Sequence, residues 1–142
     1  MKWYRSVGIA ALVAVSSAAC NSSSASTLTP VAVSPTLVTE SHTGTVAVGG
    51  ADAYGFNVVQ PGDVTVTMTA AGPPANIIMG MGIGVPSGTT CTPISSTLIA
   101  VPAGTTPQVS GSVTIAGSLC VLIFDIGNQT APITYSITIT HP

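Results

Sequence analysis

Residues 53–69, Ala-Tyr-Gly-Phe-Asn-Val-Val-Gln-Pro-Gly-Asp-Val-Thr-Val-Thr-Met-Thr, constrain the fold more than any other stretch of the chain. They hold two runs of period-two alternation, the pattern of strands with one face in a core and the other in water. Tyr54, Phe56 and Val58 share a face of the first run, and Val64, Val66 and Met68 share a face of the second. Between them Gln60-Pro61-Gly62-Asp63 is a turn signal, because Pro presets φ at the second position and Gly tolerates the third. A tight hairpin here would place Val58 opposite Thr65, and residues directly opposite share a face. Half of the apolar set would then lie in water. The conflict vanishes if the turn carries the chain from one sheet to the facing sheet, so that both apolar sets meet in one core.

The rest of the chain repeats this grammar. Strands are expected over residues 43–48, 77–85, 97–101, 109–115, 118–126 and 133–140, with loops at 70–76, 86–93, 102–107 and 127–132. Residues 118–126, Ser-Leu-Cys-Val-Leu-Ile-Phe-Asp-Ile, are apolar on both faces and read as a central strand. Residues 133–140 place Ile133, Tyr135, Ile137 and Ile139 inward and their Thr and Ser neighbours outward. No helical periodicity occurs after the first twenty residues. The expected fold is all-β: a seven- to eight-stranded antiparallel β-sandwich, jelly-roll-like, preceded by a cleaved signal peptide and a flexible tether. Residues 42–142 would form that domain, a size at which a single core is ordinary.

Residues 1–19 read as the signal peptide. Lys2 and Arg5 form a positive start, a short apolar run follows, and Ser16-Ser17-Ala18-Ala19 supplies the small residues a signal peptidase requires. The apolar run is shorter than the roughly 20 residues a bilayer-spanning helix needs. Small residues ending in Cys20, followed by Asn21 and a Ser-rich run, resemble the lipobox and tether of bacterial lipoproteins, with Ser17 where that motif usually carries Leu. Cysteine counting agrees. Of three cysteines, Cys91 and Cys120 can pair with each other, and lipidation would account for Cys20. The other reading is cleavage after Ala19 to give a secreted protein with a free thiol. Residues 20–41, rich in Ser, Thr and Pro, are expected to be the tether.

Removing the signal peptide removes Lys2 and Arg5, the only Lys and Arg in the chain. The mature charges are Glu40, Asp52, Asp63 and Asp125, besides the two histidines. Nucleic-acid binding depends on Lys and Arg neutralising phosphates, so that class is excluded, and nucleotide binding through a Lys cradle falls with it. Electrostatic docking on anionic lipid is excluded on the same ground. Contact with a membrane is expected through the N-terminal lipid anchor.

The order Thr-Gly-Thr-Val, Gly-Gly-Ala-Asp-Ala-Tyr-Gly-Phe-Asn-Val, Pro-Gly-Asp-Val-Thr-Val-Thr-Met-Thr and a closing Tyr135-Ser-Ile-Thr-Ile resembles the bacterial pre-peptidase C-terminal domain family. The resemblance spans residues 43–140 and implies a jelly-roll-like sandwich of the kind appended to secreted proteases and other exported proteins. Some members of that family bind collagen or calcium through acidic clusters and surface aromatics. This chain departs from that pattern. Glu40 is the only acidic residue of the tether, and Tyr54, Phe56, Phe124 and Tyr135 all occupy strand positions expected to be buried, so neither activity is carried over.

Each candidate for chemistry has a plainer reading beside it. A Cys91–Cys120 disulfide would contribute on the order of 3 to 4 kcal/mol by loop closure. Asp52, Asp63, Asp125 and Asn128 are the only oxygen ligands that could gather round a cation such as Ca²⁺, yet all stand at turns or strand ends, where Asp and Asn are favoured for bonding nearby backbone. His42 and His141 would approach each other if the first and last strands pair; as terminal residues they read as solvated. Gly80, Gly82 and Gly84 lie on one face of a strand, which admits a close neighbouring ring or sheet, or else a flat binding face. Val85 replaces the third glycine of a dinucleotide loop. Asn128-Gln-Thr130 matches a glycosylation acceptor but follows a bacterial-type signal. There is no Gly-x-Ser-x-Gly elbow and no His-Glu-x-x-His. The sequence therefore points to a non-catalytic exported lipoprotein, a binding or accessory module at the outer membrane or cell surface, with no cofactor and with a protein or polysaccharide partner. A self-associating structural protein is the alternative, and a secreted hydrolase the third.

Overall fold

The Gln60–Asp63 turn does carry the chain between sheets. The computed structural model describes residues 34–142; the signal-peptide, Cys20 and most tether expectations lie outside them. The strands are β1 (Val38–Val46), β2 (Ala51–Val58), β3 (Gly62–Gly72), β4 (Met79–Ser87), β5 (Thr90–Pro93), β6 (Ile99–Val101), β7 (Val109–Val113), β8 (Gly117–Phe124) and β9 (Ile133–His141). A 3₁₀ turn covers Ser95–Thr97. One sheet has the order β1-β9-β3-β7; the other has β2-β8-β4-β5, with β6 also pairing to β4. Every pairing is antiparallel. Because β1 pairs β9, β2 pairs β8, β3 pairs β7 and β4 pairs β5, the chain is one long antiparallel ribbon folded across two sheets. That is jelly-roll connectivity.

The core lies where the alternation places it. Tyr54, Phe56 and Val58 face inward from one sheet, and the fully buried Val64, Val66 and Met68 from the other. Met79, Met81 and Ile83 of β4, Val121 and Ile123 of β8, and Ile133, Tyr135, Ile137 and Ile139 of β9 complete it. Burial of each such aliphatic side chain contributes about 1.5–3 kcal/mol, the bulk of what offsets chain entropy. The central strand expected near residues 118–126 is β8, flanked by β2 and β4.

Strand ends shift by a residue or two throughout, and four differences from the sequence reading stand out. β1 begins at Val38, so Glu40, placed at the end of the tether, and His42, placed just before the first expected strand, both belong to β1. β3 continues to Gly72 through a bulge at Thr69, whose hydroxyl donates to Ser136 O (3.2 Å); the bulge keeps Ala71 on the core face. β5 forms where a loop was expected, raising the strand count to nine, because Thr90–Pro93 pairs back on Ser87–Gly84. The expected strand at residues 97–101 is confined to Ile99–Val101. Just before it, the Thr97 hydroxyl accepts from Ile83 N (3.0 Å), which fills the gap on β4 between β5 and β6.

The disulfide is present. Cys91 of β5 and Cys120 of β8 are joined although β4 runs between their strands, with Cα atoms 5.9 Å apart. Strands two apart in a flat sheet are separated by roughly 9.6 Å, so the β4–β5 hairpin curls over the outer face. Gly84 makes this possible, since a Cβ there would meet Thr92 backbone and Cys91 Sγ. The other two glycines of that face are also covered, Gly80 by the Phe124 ring and Gly82 by Leu98 and Thr97. The close-approach reading of the glycine face is therefore the one observed. Phe124, expected inside, is half-buried and lies on the outer face against Gly80.

Candidate functional site

Polar chemistry concentrates where the two sheets meet along β1 and β2. Inward positions on β1 are Glu40, His42, Gly44 and Val46; on β2 they are Asp52, Tyr54, Phe56 and Val58. Each strand is an edge of its sheet, so this side of the sandwich is closed by side chains and not by a ladder. The Tyr54 hydroxyl donates to Glu40 Oε2 (2.8 Å), a bond from one sheet to the other. Glu40 Oε1 lies 3.1 Å from His141 Nε2. The His42 ring stacks on Tyr54, with centroids 4.2 Å apart. Deeper in, the Tyr135 hydroxyl donates to Asp52 Oδ2 (2.9 Å), again between sheets. Gly44 stands beside that bond, and a Cβ there would clash with both partners.

The electrostatics follow from these contacts. The Tyr54 hydroxyl, more than His141, holds the Glu40 carboxyl below its ordinary range against a smaller opposing effect of desolvation. Glu40 in turn pushes the Tyr54 hydroxyl up. Burial, followed by the Asp52 carboxylate, pushes Tyr135 up further still. Such bonds between an ionised acceptor and a hydroxyl are stronger than neutral ones.

The histidines correct the sequence reading. β1 and β9 do pair, but the register sets His42 opposite Ile137 and His141 opposite Val38. His141 is 2% exposed and packs on Phe56 at 5.1 Å, with its Nδ1 3.2 Å from Pro142 O. It is a core residue, neither solvated nor adjacent to His42 in the ladder. Its ring nitrogens face Glu40 and Pro142 O, and no hydroxyl nucleophile bonds either of them among the described residues.

The four oxygen candidates are dispersed. Asp52 is bonded to Tyr135, and Asp63 accepts from Ser112. Asp125 gathers four backbone N–H groups: Gly49 on Oδ2 (2.8 Å), and Gly127 (2.8 Å), Asn128 (3.1 Å) and Gln129 (3.3 Å) on Oδ1. Those bonds, Gly49 first, hold its carboxyl below the ordinary range. They also join the β1–β2 and β8–β9 loops, where Gly49 (φ +69°) and Gly127 (φ +94°) take left-handed conformations that favour glycine. Asn128 Nδ2 donates to Ile78 O (3.0 Å). The turn reading describes Asp125 and Asn128. Among the described residues, no three His, Cys, Asp or Glu side chains converge as a metal site would require.

No protein-family model matches this chain, and neither does any curated protein. Its own surfaces must therefore supply the functional reading. One chemically uniform surface is the outer face of the β1-β9-β3-β7 sheet. Register places Thr39, Thr140, Thr65 and Ser110 in one row across all four strands, and Ser41, Thr138 and Thr67 in the next. Thr43 and Ser136 follow, their hydroxyl oxygens 3.3 Å apart; those of Thr39 and Thr140 are 3.2 Å apart. Asp63, bonded to Ser112, is the one ionisable group at its margin. The sequence carried this signal in the Thr and Ser of each alternation, which the strand reading treated only as the solvent side.

Proposed function

We propose that this chain is a non-catalytic exported module of the cell envelope, lipid-anchored through Cys20, and that it binds a neutral partner through the hydroxyl face of its four-stranded sheet. The resemblance to pre-peptidase C-terminal domains fits this reading, as such modules accompany exported proteins. One observation carries it: Glu40, Asp52, Asp125 and His141 are engaged with hydroxyls, backbone or each other, while the outer face of the four-stranded sheet is a grid of hydroxyls with Asp63 alone at its margin. Hydroxyls in rows recognise a partner by many individually weak hydrogen bonds, which suits an uncharged hydroxyl-rich polymer, a polysaccharide in particular. Attraction of this kind is insensitive to salt, unlike ion pairing.

The experiment is co-sedimentation with insoluble neutral polysaccharides at low and high salt, using the native chain and a Thr65→Val, Thr67→Val, Thr138→Val variant. The variant keeps side-chain shape while deleting three central hydroxyls. Salt-independent retention that the variant loses supports the reading. Equal retention of both proteins, or none of either across neutral polysaccharides, refutes it. Intact mass of the mature protein reads acylation of Cys20 separately.

A further inference from the structure

We infer that the end of the sandwich formed by the β2–β3 and β7–β8 connections docks against the surface of an uncharged lipid bilayer, orienting the module on its anchor. This rests on the anchored reading of Cys20. The two connections run side by side, because β2 pairs β8 on one sheet and β3 pairs β7 on the other. At their tips stand Val59 and Ile115, exposed to 72% and 74%, the most exposed large apolar side chains of the described residues. Leu37 and Val38 join them from the start of β1, since Val38 pairs with His141 at this same end and Val59 N donates to Pro142 O.

The occupant follows from where the chain enters. Ser34, Pro35 and Leu37 line a shallow groove with Asp63, Thr65 and Thr140, so the chain reaches the domain at the apolar tip. Cys20 is fourteen positions before Ser34, a contour of at most about 50 Å. An acylated Cys20 therefore attaches the domain to the membrane by this end. Short tethering raises the effective concentration of a weak contact enough to sustain it. The tip carries no Lys or Arg, Asp63 stands at its margin, and Pro142 O accepts from Val59 N there, so a zwitterionic surface suits it better than an anionic one. Apolar side chains of such a tip would sit at the headgroup–acyl boundary.

The mature chain has no tryptophan, as the only one is Trp3. Single Val59→Trp, Ile115→Trp and Ile126→Trp variants thus each carry one tryptophan, the last at the opposite end, where Asp125 ties the loops. Made from residue 20 onward without the signal peptide, and so not acylated, the chain has Cys20 as its one free thiol once Cys91 and Cys120 are oxidised. That thiol can be coupled to maleimide-bearing phosphatidylcholine vesicles with brominated acyl chains. Docking predicts a blue shift and a severalfold loss of emission for Val59→Trp and Ile115→Trp, with Ile126→Trp unaffected. It also predicts no gain when anionic lipid is added. Absent or equal quenching at all three positions overturns the proposal. So does a blue shift at the tip that grows with protein density but resists the bromolipid, since that places a second copy there. Intact mass of the protein made in its host tests acylation independently, so failure of the anchor and failure of the tip are distinct results.

Discussion

Reduction of the Cys91–Cys120 bond is the perturbation whose cost can be worked out most fully. The bond closes a loop of sequence separation 29. Loop-closure entropy for a loop of that size gives about 3.6 kcal/mol at 25 °C. For a domain of about 100 residues this corresponds to a fall in Tm of roughly 15 °C. Reduction removes no side-chain atom, so urea unfolding of the same chain with and without reductant isolates the crosslink from the packing lost in a Cys→Ala variant. The structure adds a spatial prediction. Because β5 pairs only with β4 and curls over Gly84 to meet Cys120, release of the bond should loosen Thr90–Pro93 first. Amide exchange there should become fast while β9, paired on both sides, keeps its protection. A stability loss below about 1 kcal/mol, well short of the loop-closure figure, would refute the reasoning. So would faster exchange in β9 than in β5.

Gly44→Ala should destabilise the fold by roughly 1–3 kcal/mol in chemical denaturation, because its Cβ must part the Tyr135–Asp52 bond. Asp52→Ala should then soften the penalty of Gly44→Ala in a double-mutant cycle. Gly80→Ala drives a Cβ into the Phe124 ring and should cost about 1–3 kcal/mol, with Phe124→Ala relieving part of it in a second cycle. On acidification, Glu40 and Asp125 work in the same direction. Both carboxyls are held below their ordinary values when folded, so their contribution is present at neutral pH. It is lost as pH falls below about 4, through those lowered values. Thermal melts over that range should show a shallower decline for Asp125→Asn, at the expense of a lower Tm at pH 7.

The sandwich was legible because apolar alternation at Tyr54/Phe56/Val58 and Val64/Val66/Met68 leaves one consistent register, and the turn between them must then cross sheets. The seam was not. Glu40 and His42 alternate with Thr39, Ser41 and Thr43 as regularly as any core pair, but charged residues at inward positions break the apolar signal that marks a strand's buried side. Only at an edge, with Tyr54 and His141 supplying partners, is such a pattern tolerable. His141 misled for a related reason. Its place near the chain end suggested solvent, while pairing with Val38 and packing on Phe56 bury it. β5 was hidden because four residues containing Pro93 carry too little periodicity, and its Cys91 is tied to a partner 29 positions away. The hydroxyl face needed the register itself, since only pairing aligns Thr39, Thr140, Thr65 and Ser110 across strands.

The claim that an inward-facing first strand closes the two sheets through bonded ionisable groups is tested most directly at Glu40. It is the only glutamate of the chain, so a carbon-13 NMR titration of glutamate Cδ reads a single resonance. A midpoint below the ordinary carboxylate range, moving back up in Tyr54→Phe, is the predicted result. An ordinary midpoint that ignores Tyr54→Phe would put Glu40 in solvent and contradict the account.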